Sequence, residues 1–118
     1  MPQIERKFQE LVKRLHLRTQ QGEIHWESTA SPDTFQVAFP DYSVSLSSHE
    51  EHWNVIYILA IHNDQGNIIE VIRSDMGGDA SDEYGLQETM KELYELARRQ
   101  ALGVEKVIDD LLGHLGAP

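Results

Sequence analysis

The chain has no cysteine among its 118 residues. That excludes disulfides, thiolate metal sites, a cysteine nucleophile and thiol redox chemistry. Positive charge is scarce. Ten Lys and Arg stand against twenty Asp and Glu, for a formal net charge of -10. Such a surface repels phosphate backbones, so nucleic acid is not an expected partner. Long apolar runs are also missing. Nothing approaches the roughly 18 residues of a membrane span. Met1-Pro2-Gln3-Ile4-Glu5-Arg6-Lys7 has no apolar signal-peptide core. The expectation is a cytoplasmic protein that does not engage a membrane. No Gly-rich phosphate loop, dinucleotide fingerprint or G-x-S-x-G serine is present. No catalytic set is legible, no cofactor is expected, and an enzyme is not the favoured reading.

What is present suffices for a single α+β domain over residues 1–118. Apolar residues make up 40% of the chain. A chain of this size buries roughly two thirds of its unfolded surface. The charge is unevenly spread. Residues 1–18 carry five bases against two acids, residues 19–74 eight acids against Arg73 alone, and residues 75–118 ten acids against four bases. The basic N-terminal segment is expected to be a solvated helix face.

Hydrophobic period divides the chain. Ile4, Phe8, Leu11 and Leu15 fall four, three and four apart, which predicts an amphipathic helix over 3–17, with Pro2 suited to its first turn. The period then changes to two. Ile24 and Trp26 alternate with polar residues, as do Phe35, Val37 and Phe39, and then Tyr42, Val44 and Leu46. A fourth strand, 53–62, is apolar on both faces, with Trp53, Val55, Tyr57, Leu59 and Ile61 on one and Ile56, Ile58 and Ala60 on the other. Asn63-Asp64-Gln65-Gly66 is a hairpin turn before a fifth strand, 68–73. Short connections predict a five-stranded antiparallel meander. Ser81 is placed to cap a helix whose inward stripe is Leu86, Met90, Leu93 and Ala97. Gly103 then separates it from a closing helix with a stripe of Val104, Val107, Ile108, Leu111, Leu112 and Leu115. A stripe this strong on a short helix must be covered by its own sheet or by another chain.

Two clusters invite a metal. His49-Glu50-Glu51-His52 offers two histidines and two carboxylates, but three residues apart in a predicted turn rather than four apart on a helix. Asp75, Asp79, Asp82 and Glu83 surround Gly77-Gly78 without the alternation of a calcium loop. No metal site is assigned to either. His25, His62 or the His49–His52 turn could serve a small ligand, a metal or an acid–base step, and they carry the alternative function.

The second sheet face is the more telling feature. With the large residues turned toward the helices, it carries His25, Gln36, Ala38, Ser43, Ser45, Ile56, Ile58 and Ala60. Small, weakly charged groups around an aliphatic strip allow another surface to approach closely. Ile56, Ile58, Ala60, Ser43 and Ser45 are therefore candidate interaction residues. Tyr94 and Arg98, four apart on one helix, are a candidate surface pair.

Three segments carry a resemblance: Gly22-Glu23-Ile24-His25-Trp26-Glu27, Asp33-Thr34-Phe35, and Glu92-Leu93-Tyr94-Glu95-Leu96-Ala97-Arg98-Arg99-Gln100-Ala101-Leu102-Gly103-Val104. Their order resembles small uncharacterised bacterial single-domain proteins with a helix, β-meander, two-helix plan. That group has no assigned activity, so the resemblance implies a fold and a bacterial origin only. A more distant likeness is to type III secretion chaperones, which are small, acidic, dimeric α/β proteins. This chain lacks the helix that they insert between strands. The expectation is a non-enzymatic protein-binding or assembly module, a homo-oligomer or partner of another protein, acting through a sheet face or the C-terminal helix.

Overall fold

The N-terminal 3.6-residue period becomes α1, Pro2–Gln20, one turn longer than its apolar spacing predicts. These and the following elements come from a computed structural model, which describes residues 2–75 and 85–117, with side chains from residue 6 onward. Gly22, at φ 75°, turns the chain out of α1. Five strands follow: β1 Glu27–Ser28, β2 Thr34–Ala38, β3 Tyr42–Glu51, β4 Asn54–Asn63 and β5 Ile68–Arg73. They form one antiparallel sheet in sequence order. Two helices close the chain, α2 Leu86–Leu102 and α3 Val104–Leu115. The architecture is the expected α+β plan, and no helix interrupts the described strands.

The register shows which residues share a face. Phe35, Leu46, Leu59 and Ile72 are paired neighbours across four strands, and all four are buried on the helix side. α2 lies on that face and inserts Leu86, Met90, Leu93, Tyr94 and Ala97 into it. α1 packs against α2, burying Val12 and Leu15. Each such apolar side chain contributes about 1.5–3 kcal/mol when fully buried.

A buried polar clasp ties the ends of these layers together. Thr19 Oγ1 donates to the Leu15 carbonyl at 2.6 Å and accepts from Trp26 Nε1 at 3.0 Å. Gln100 Oε1 accepts from the Trp26 backbone N–H at 3.1 Å, and Gln100 Nε2 donates to the Thr19 carbonyl at 3.3 Å. One indole thus joins the end of α1, the lead into β1 and the end of α2. On the same face, burial pushes the Tyr57 phenol up, with smaller contributions from Glu95, Tyr94 and Glu88.

Several boundaries depart from the sequence expectations. The first strand is two residues long, and Ile24 and Trp26 lie before it. Phe39 and Tyr42, expected to face the helices, are exposed beside the β2–β3 turn. β3 runs on through His49, Glu50 and Glu51, so the turn is His52-Trp53 and Trp53 is not a strand residue. α2 starts at Leu86 after Gly85, which has φ 68°, with no side-chain cap. Ser81 and the calcium-like Asp79, Asp82 and Glu83 around Gly77-Gly78 lie outside the described residues.

Candidate interaction surfaces

Gly103 sets up the first surface. Its left-handed conformation, φ 63° and ψ 39°, closes α2, with its N–H directed to the Arg99 and Gln100 carbonyls. Its own carbonyl accepts from Val107 N–H at 3.1 Å and opens α3. A residue with a Cβ rarely adopts this φ, and glycine does so freely. α3 therefore leaves in a new direction as a separate helix. Glu105 in its first turn and His114 in its last suit the helix dipole.

No residue of α3 is buried. Ile108 is 49% exposed and Leu115 77%, with Val107, Leu111 and Leu112 between them. Among the described elements, the main contact of α3 is with α2, across the Gly103 junction. The radius of gyration, 15.9 Å, exceeds the roughly 13–14 Å expected of a compact chain this long. In this structure the closing stripe does not lie on the chain's own sheet.

The second surface is the sheet face turned away from α2. No helix among the described residues packs on it. It carries Gln36, Ser43, Ser45, Ile56, Ile58, Ala60, His62 and Val71 in register. Ile56 and Ala60 are each only 8% exposed. Ser43, Ser45 and Ile58 are half-buried. At one corner, Arg73 bridges Glu51 at 3.2 Å and Asp75 at 3.0 Å. Its hydrogen bond and charge hold the Asp75 carboxyl below the usual carboxylate range, and the two carboxylates raise Arg73 in turn.

Tyr94 and Arg98 are not a surface pair. Tyr94 is buried, its ring 5.5 Å from Phe35 and 5.3 Å from Tyr57, and its hydroxyl donates to the Asp33 carbonyl at 3.1 Å. Only Arg98 is exposed. The apolar face of α2 is wide because the helix lies between the sheet and α1, so Tyr94 falls inside it.

The histidines are dispersed. His62 Nε2 lies 3.1 Å from Ser45 Oγ, and His49 Nε2 lies 2.9 Å from Ser47 Oγ. His62 is beside Ser43 in the register and His49 beside Ile56, so they occupy opposite ends of the β3–β4 hairpin. His25 is exposed and lines an open groove of about 960 Å³ with Gln20, Arg99, Gln100, Val104 and Ile108. Among the described residues, the histidine that meets a carboxylate is His16, 3.3 Å from Glu92 on the α1–α2 contact. Among the described residues, no three His, Asp or Glu side chains converge to hold a metal ion.

Trp53 is a surface feature that the sequence pattern conceals. It sits at the hairpin tip at 103% relative exposure. His52 and Trp53 both have positive φ, 50° and 72°, the geometry of a two-residue hairpin turn.

No family model, curated protein or solved structure matches the chain. No described helix is long and apolar enough to cross a membrane.

Proposed function

We propose that the chain is a non-enzymatic protein-binding or assembly module that acts through α3. The observation that carries this reading is an amphipathic helix with no buried residue. An isolated helix of about twelve residues is marginal in water, so its apolar face calls for a covering surface. The chemistry of α3 favours protein over lipid. Helices that lie on membranes carry Lys and Arg on the polar face, whereas α3 carries Glu105, Asp109 and Asp110 against Lys106. The open sheet face is the lesser candidate, since Ile56 and Ala60 already have little surface left to bury.

Truncation after Gly103 tests this. The shortened chain should keep the thermal stability and sheet signature of the whole chain while losing self-association or partner binding. Unfolding of the truncated chain would make α3 part of the core. Unchanged assembly would remove α3 from the function.

A further inference from the structure

We draw no further inference here: the strongest candidate, the unpartnered apolar stripe of α3 from Val104 to Leu115, is the surface already described, and nothing in the structure shows what covers it.

Discussion

Thr19 shows how much of the packing rests on single side chains that a hydrophobic pattern does not mark. By type and position it reads as a polar residue beyond the predicted helix over 3–17. In the structure it is 2% exposed and is the acceptor for the Trp26 indole. Gln100 is equally inconspicuous in sequence, and it holds both Thr19 and Trp26. Periodicity ranks residues by hydrophobicity, so it assigns polar clasp residues to the surface. Thr19→Val should destabilise the fold by about 1–3 kcal/mol, because it strands a buried indole N–H, whereas Thr19→Ser should cost less. Urea melts of the two variants provide the check; equal midpoints would show that the indole finds another acceptor. Tyr94 illustrates the same limit from the other side. Its position beside Arg98 suggests an exposed pair, but the residue faces Phe35 and Tyr57.

At the level of elements, periods were the legible part. The 3.6-residue repeats locate three helices, and the alternations locate the bodies of β2 to β5. Element ends were less legible. The β3–β4 turn was expected at His49–His52 because those residues are polar. Yet the tip of the hairpin has little apolar cover on either face. Glu50 and Val55, paired across it, are both exposed. Polar residues can therefore continue the strand, and the turn falls on His52-Trp53. A turn with positive φ at both positions favours Asn-Gly, and neither His nor Trp relieves the strain. Trp53 has no packing to lose in the isolated chain. The double substitution His52→Asn, Trp53→Gly should stabilise the fold by about 1–2 kcal/mol, measured by chemical denaturation. A loss of stability would mean that the indole makes a contact in solution.

For the whole molecule, the central distinction is between a core that is closed and a helix that is not. α1, α2 and one sheet face form a packed unit. Among the described residues, no buried side-chain N or O lacks a hydrogen-bond partner. The apolar spacing of α3 made its need for cover legible in the sequence. The direction in which Gly103 sends the helix was not, because glycine permits several exits. Leu111→Ala illustrates the consequence. Full burial would make it cost about 2–5 kcal/mol, but Leu111 is 54% exposed in the single chain, so most of that cost should fall on association. Amide hydrogen exchange measured across protein concentrations addresses the point directly. Protection in β3, β4 and α2 should be the same at every concentration, while residues 104–115 should be far less protected at the lowest one, where no partner covers them. Strong protection of α3 at the lowest concentration, equal to that of α2, would contradict the account, because the stripe would then be buried within its own chain.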